Sequence, residues 1–212
     1  MNIKSFTFNP FQENTYIVYD ATKECLIIDP GCYTDAERKE LKAFIEEKGL
    51  TPVKLINTHC HIDHVLGNKF TSEQWDIQLY MHKEGLPILE KVEDVGKMYG
   101  LEDYEVSPYP KYFLAHKDTL TFGESSFEIL FTPGHAPGHI CLYSKENNVL
   151  ISGDVIFQRS IGRTDLPGGD HNTLINSIIT HLFPLLNETQ IFCGHGPSTN
   201  LGYEKEHNPF LQ

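Results

Sequence analysis

Residues 58–64 read T-H-C-H-I-D-H and follow the apolar run V-K-L-I-N at 53–57. Three imidazoles and a carboxylate therefore stand directly behind a stretch that reads as a buried strand. Unpaired polar groups lose solvation on burial, so a packed core does not favour them. A solvated loop tolerates them but gains nothing from so many histidines. The arrangement makes sense if a cation sits among them. On an extended backbone His59 and His61 point the same way, whereas Asp63 and His64 follow a turn and approach from another side. One loop then serves two points in space, unlike the helical H-E-x-x-H pair that serves a single zinc. Imidazole with carboxylate suits zinc, manganese or iron better than calcium or magnesium.

Three further segments end apolar runs in the same manner. T-P-G-H at 132–135 delivers His135, I-S-G-D at 151–154 delivers Asp154, and C-G-H at 193–195 delivers His195. Each donor stands beside a glycine, and functional groups collect on loops at the edge of layered sheets. His139, in G-H-A-P-G-H, reads as a residue that orients its loop rather than a ligand. Cys60 lies between two donors but faces away from them, as a small buried residue. His82, His116, His171, His181 and His207 read as surface or capping residues.

The elements that must position these donors are legible as short runs. Strands are expected over 3–8, 15–19, 25–28, 53–56, 77–81, 119–122, 127–131, 140–143, 149–151 and 190–193. An amphipathic helix is expected over 34–48, with Leu41, Phe44 and Ile45 on one face, Thr34 or Asp35 at its start and Gly49 after its end. Further helices are expected over 66–74, 86–98, 173–182 and 203–207. Strands in two groups, each followed by helices, predict an α+β chain of two packed sheets with helices on their outer faces. No linker, repeat or low-complexity tract interrupts the 212 residues, so a single domain over 1–212 is expected.

Composition narrows the function classes. Hydrophobic residues make up 40% and charged residues 22%, an ordinary balance for a globular chain. No apolar run approaches the roughly 20 residues that span a bilayer, and the opening residues lack the apolar stretch of a signal peptide. Five cysteines without a C-x-x-C predict reduced thiols and a cytoplasmic protein. A net charge of −12 with no basic run speaks against nucleic acid, and no membrane partner is expected. Oligomeric state is left open. An anionic small substrate needs a local cation in so acidic a chain, and G-R-T-D at 162–165 supplies Arg163 as a substrate-binding candidate.

The series H-x-H-x-D-H, G-H, G-D, G-H, in that order, resembles the metallo-β-lactamase superfamily over residues 15–200. The resemblance implies a four-layer αβ/βα sandwich of two mixed sheets with a two-metal site at one edge. It implies that His59, His61 and His135 hold one ion, that Asp63, His64 and His195 hold the other, and that Asp154 bridges them. Two divalent ions are then expected as cofactors: zinc, with iron or manganese as alternatives. Such a site generates a hydroxide between the metals that attacks a carbonyl, and Asp63 is the expected residue to orient that water.

Within the superfamily, lactamase branches usually carry Cys or Ser where this chain has Asp154, and nucleic-acid-processing branches carry large extra domains or basic arms. T-P-G-H-A-P-G-H, G-D-V-I-F, G-R-T-D-L-P-G-G-D and the stretch from G-H-G-P to N-P-F-L resemble short bacterial members of the glyoxalase II group. The resemblance implies a binuclear zinc hydrolase acting on a small-molecule thioester such as S-D-lactoylglutathione. Full-length glyoxalase II adds a helical C-terminal domain that contacts glutathione. Its G-K-F-Y-E-G loop is G-R-T-D-L-P here, with Asp165 at the tyrosine position, and Gly196–Pro197 replace a tyrosine after the last histidine. The alternative on the same fold is a persulfide dioxygenase, similar in T-H-C-H-x-D-H and G-R-T-D, which uses one iron on the equivalents of His59, His135 and Asp154.

Overall fold

A computed structural model describes residues 1–212. The first half runs β1 (Asn2–Phe8), β2 (Glu13–Tyr19), β3 (Glu24–Ile28), α1 (Asp35–Lys48), β4 (Thr51–Ile56), α2 (Ile62–Val65), α3 (Asn68–Trp75), β5 (Leu79–Met81), α4 (Leu86–Leu89), α5 (Val92–Met98) and β6 (Tyr112–Phe113). The second half runs β7 (Thr119–Phe122), β8 (Ser125–Phe131), β9 (Ile140–Ser144), β10 (Val149–Gly153), β11 (Ile156–Phe157), β12 (Ser160–Ile161), α6 (His171–Ser177), β13 (Gln190–Cys193), β14 (Thr199–Asn200) and α7 (Leu201–His207).

Strands β1 to β6 lie side by side in sequence order. The β1–β2–β3 part is antiparallel and the β3–β4–β5–β6 part parallel, so the sheet is mixed. The second sheet is ordered β14-β13-β10-β9-β8-β7, with β10 and β13 parallel and the other neighbours antiparallel. A small β11–β12 hairpin stands apart.

Strand alternation divides the core into three apolar layers, which is why the fold has four layers of backbone. In β3, Leu26 and Ile28 face the second sheet while Cys25 and Ile27 face the helices. In β9, Ile140 and Leu142 meet the first sheet while Cys141 and Tyr143 turn towards α6 and α7. Nearly continuous apolar strands are what sheets buried on both faces require. The expected αβ/βα sandwich of two mixed sheets is the observed architecture.

Helix α1 starts on a capping box, Thr34 receiving the Glu37 N–H while Glu37 reaches back to Thr34, and it ends at Gly49. The expected helix over 86–98 is instead two, α4 and α5, interrupted at Glu90–Lys91, where Lys91 N–H turns back to Ile88 O at 2.9 Å. Past α6 the helix continues over Ile178–Leu182 with wider, π-type turns, and Phe183 N–H reaches Ile178 O at 3.0 Å. All five cysteines are unpaired and buried. No helix is long and apolar enough to cross a membrane.

Candidate metal centre

The donors gather where strands of both sheets end. Strand β4 stops at Ile56, so the loop from Asn57 carries His59 and His61 past its end. His61 keeps an extended backbone (φ −64, ψ 151), and the two rings meet with centroids 4.8 Å apart. Asp63 and His64 do not lie in a loop: they form the first turn of α2, which throws them to the other side of the same centre. His135 follows β8, Asp154 follows β10 and His195 follows β13. The parallel β10–β13 pair shifts register by a bulge, setting Gly153 opposite Cys193 and so Asp154 near His195. Gly194 has to lack a side chain, because a Cβ there would run into Asp154 Oδ1 and come within 2.9 Å of His64 Cε1.

Two groups of three donors result. In one, His135 Nε2 lies 2.9 Å from His61 Nδ1 and 3.3 Å from His59 Nε2. In the other, Asp63 Oδ2 lies 3.1 Å from His195 Nε2 and 3.4 Å from His64 Nε2. Asp154 stands between the groups: Oδ2 is 3.5 Å from both His135 Nε2 and His195 Nε2, and Oδ1 is 3.5 Å from His64 Nε2. Donors about 2.0–2.1 Å from a tetrahedral zinc stand about 3.3–3.4 Å from one another, so the spacing fits an ion in each group.

The outer ring nitrogens confirm which atoms face inward. His64 Nδ1 donates to Asp29 Oδ2 (3.2 Å), His135 Nδ1 to Arg163 O (2.7 Å) and His195 Nδ1 to Gln12 O (3.2 Å). The Thr58 hydroxyl donates to Asp29 Oδ2 (2.6 Å), so its oxygen accepts from His59 Nδ1 (3.2 Å). Each of these rings therefore turns its Nε2 to the centre, as metal-binding histidines do when an outer acceptor fixes the other nitrogen. His64 Nε2 and Asp154 Oδ1 are buried without any hydrogen-bond partner. Buried polar atoms are rarely left so.

Charge differs between the groups. Burial, reinforced by neighbouring imidazoles, holds His59 well below the ordinary range, and burial with His135 brings His61 down to about 4. Burial likewise lowers His135. Burial opposes charge on His64, but Asp63 and Asp154 outweigh it and hold the imidazole well up. Burial also opposes charge on His195, yet hydrogen bonds to Asp154 and Asp63 raise it to about 10. Burial disfavours both carboxylates as anions, but His64 and His195 keep Asp63 below its ordinary value and Asp154 well below.

His139 is buried beside the centre, where its Nε2 accepts the Asp154 N–H (3.0 Å) and its Nδ1 meets the Thr132 hydroxyl (3.2 Å). Cys60 is buried with its sulfur towards Met81. His82 caps a turn by accepting the Glu84 N–H. Arg163 is exposed at the rim, and its guanidinium grips Asp165 through two bonds of 2.7 Å. Sequence reasoning missed Asp29 and Glu13. Asp29 ends β3 before Pro-Gly, a strand-end signature like that of Asp154, but D-P-G reads equally well as a turn. Glu13 is fully buried, with Oε1 unpartnered and 4.0 Å from His64 Nδ1. Nothing local marks it.

The sequence model of the metallo-β-lactamase superfamily matches residues 8–195. Hydroxyacylglutathione hydrolase GloC of Haemophilus influenzae is 38% identical over 100% of this chain and 98% of its own. Among solved structures, the B3 metallo-β-lactamase BLEG-1 superposes with a TM-score of 0.91 at 35% identity, covering 100% of both chains. TTHA1623, solved in a di-iron-bound form, gives a TM-score of 0.88 at 37% identity over 98% of this chain and 100% of its own.

Proposed function

The chain belongs to the metallo-β-lactamase superfamily, and from that premise we propose that it is a two-metal hydrolase of small thioesters, glyoxalase II-like in its chemistry. One observation carries the metal requirement: three imidazole nitrogens converge within 2.9–3.3 Å contacts while burial keeps them unprotonated at neutral pH. With the outer nitrogens of His59 and His135 donating to Thr58 and Arg163 O, the inward Nε2 atoms are left to offer lone pairs to a cation. Zinc is the proposed ion from the donor set, and the di-iron relative makes iron the alternative.

When bound, the two ions would supply Lewis acidity towards the carbonyl oxygen and lower the pKa of a water. The protein's share is to hold the donors rigid. Asp29 does so for both groups, directly through His64 and through Thr58 for His59. His139 fixes the Asp154 backbone. Asp63, at the face of the centre, is the proposed carboxylate that takes a hydrogen bond from the attacking water and aims it. The thioester reading is supported by full-length similarity to a hydroxyacylglutathione hydrolase. A small-molecule thioester is the proposed partner and the cytoplasm the proposed compartment. The alternative reading is a persulfide dioxygenase, which would use a single iron on His59, His135 and Asp154 of the same donor set.

Metal analysis combined with assays on S-D-lactoylglutathione, a D-lactoyl thioester of cysteamine, a chromogenic β-lactam and glutathione persulfide tests the reading. Two ions per chain and hydrolysis of the thioesters are expected. Oxygen uptake on the persulfide without thioester hydrolysis would assign the chain to the dioxygenases. Turnover of the β-lactam alone would make it a lactamase.

A further inference from the structure

The ligand loop carries a second feature that the metal chemistry does not use. Helix α5 is seated directly on it: a Cβ at Gly96 would make ordinary contact with Ile62 Cδ1 at 3.5 Å, and Ile62 stands between His61 and Asp63. The end of α5 is firmly closed. Tyr99 N–H bonds Val95 O and Gly96 O, Leu101 N–H bonds Gly96 O at 2.9 Å, and Gly100 between them takes the left-handed conformation (φ +71) that ends helices. Met98 and Tyr99 are thereby held with 85% and 56% of their surface turned to solvent.

Tyr99 packs on the loop between β1 and β2, where its ring meets Phe11 edge-on, with centroids 5.4 Å apart. Phe11 sits between Asn9, whose side chain donates to Asp63 O (2.9 Å), and Gln12, whose carbonyl accepts from His195 (3.2 Å). A third aromatic ring, Phe157, stands against His195 with centroids 6.2 Å apart. The surface beside the Asp63–His64–His195 group is therefore aromatic.

Charge at the rim points the same way. Arg163 is the cation that G-R-T-D offers, and Asp165 already occupies its fork. In a chain of net charge −12 this leaves Arg163 neutralised rather than waiting for a carboxylate. An aromatic edge that has already lost its charge suits an apolar substituent better than the two carboxylates of glutathione.

We infer that Tyr99 and Phe11 are specificity-determining residues of an apolar subsite, and that the substrate is a thioester whose thiol carries an aromatic or similarly bulky apolar group. This rests on the hydrolase reading above. The test is kcat/KM for three D-lactoyl thioesters that share the acyl group, those of benzyl mercaptan, N-acetylcysteamine and glutathione. The benzyl ester is expected to exceed each of the others by about tenfold or more, the scale on which apolar pockets discriminate. Tyr99→Ala is expected to remove that advantage through KM, leaving the N-acetylcysteamine ester within about twofold of wild type. Phe11→Leu, which keeps bulk beneath Tyr99, is expected to halve the advantage or more and stands in if the first variant does not fold. Equal rates for the three esters, preference for glutathione, or an equal loss on all three in Tyr99→Ala would overturn the subsite while leaving the hydrolase reading intact. No hydrolysis of any ester would overturn the hydrolase reading instead, and the subsite with it.

Discussion

The two donor groups differ in charge and in access. His59, His61 and His135 form a neutral cup whose nitrogens burial has stripped of protons. Asp63, His64 and His195 form an anionic cup that, without metal, keeps protons on both imidazoles, and its His195 side chain is 29% exposed against 3% for His135. The difference teaches that one fold prepares metal sites by two routes. Desolvation of imidazoles favours their neutral, ligating form, while carboxylates attract a cation of any kind, including a proton. Asp154 belongs to both cups, so it couples them.

Removal of that shared carboxylate has the largest expected effect. Asp154→Ala should lower turnover by about three orders of magnitude, equivalent to about 4 kcal/mol of transition-state stabilisation, and reduce the metal content of both cups. Two ions per chain with undiminished turnover would show that Asp154 does not couple them. Next in size is the contrast between His135→Ala and His195→Ala. Each should weaken the ion of its own cup at least about a hundredfold, leaving about one tightly held ion per chain. Competition against a chelator of known affinity reads both steps, and identical losses in the two variants would erase the distinction.

Asp29→Asn tests the layer behind the ligands. Its carboxylate touches His64 directly but His59 only through Thr58, so the anionic cup should lose about 10–100-fold in affinity and the neutral cup less. A larger loss from the neutral cup would reverse the assignment. The smallest effect is in protons. His195 is raised to about 10, so below that pH a metal must displace its proton, and affinity for the anionic cup should rise with pH across the neutral range. His61 is lowered to about 4, and His59 and His135 are lowered too, so at neutral pH that cup binds without such displacement. Calorimetry at pH 7 in buffers of different ionisation enthalpy should count about two more protons released for one zinc equivalent than for the other, one each from His64 and His195. Equal release for both would mean the cups are alike in charge.

Much of this protein was determined by local sequence. Donor chemistry depends on residue type, so the seven candidate ligands could be named from four short stretches. Short apolar runs also marked most of the strands, 25–28 among them, although which of Cys25, Leu26, Ile27 and Ile28 faces the second sheet has no signal in four apolar residues. The capping box at Thr34 and Glu37 is likewise local. Tertiary structure decided the rest. Residues 59, 135, 154 and 195 meet only because strands from two sheets end at one edge, and the bulge between β10 and β13 that sets Asp154 near His195 has no periodic signal. Which nitrogen each histidine turns inward depends on distant acceptors: Asp29, Arg163 O and Gln12 O. Asp63 and His64 came to lie on a helical turn, and the expected helix over 86–98 divides into α4 and α5, with α5 against Ile62. Short-range patterns record what a residue can do, while long-range pairing sets the field it does it in, because desolvation and charge are summed over neighbours that only folding supplies.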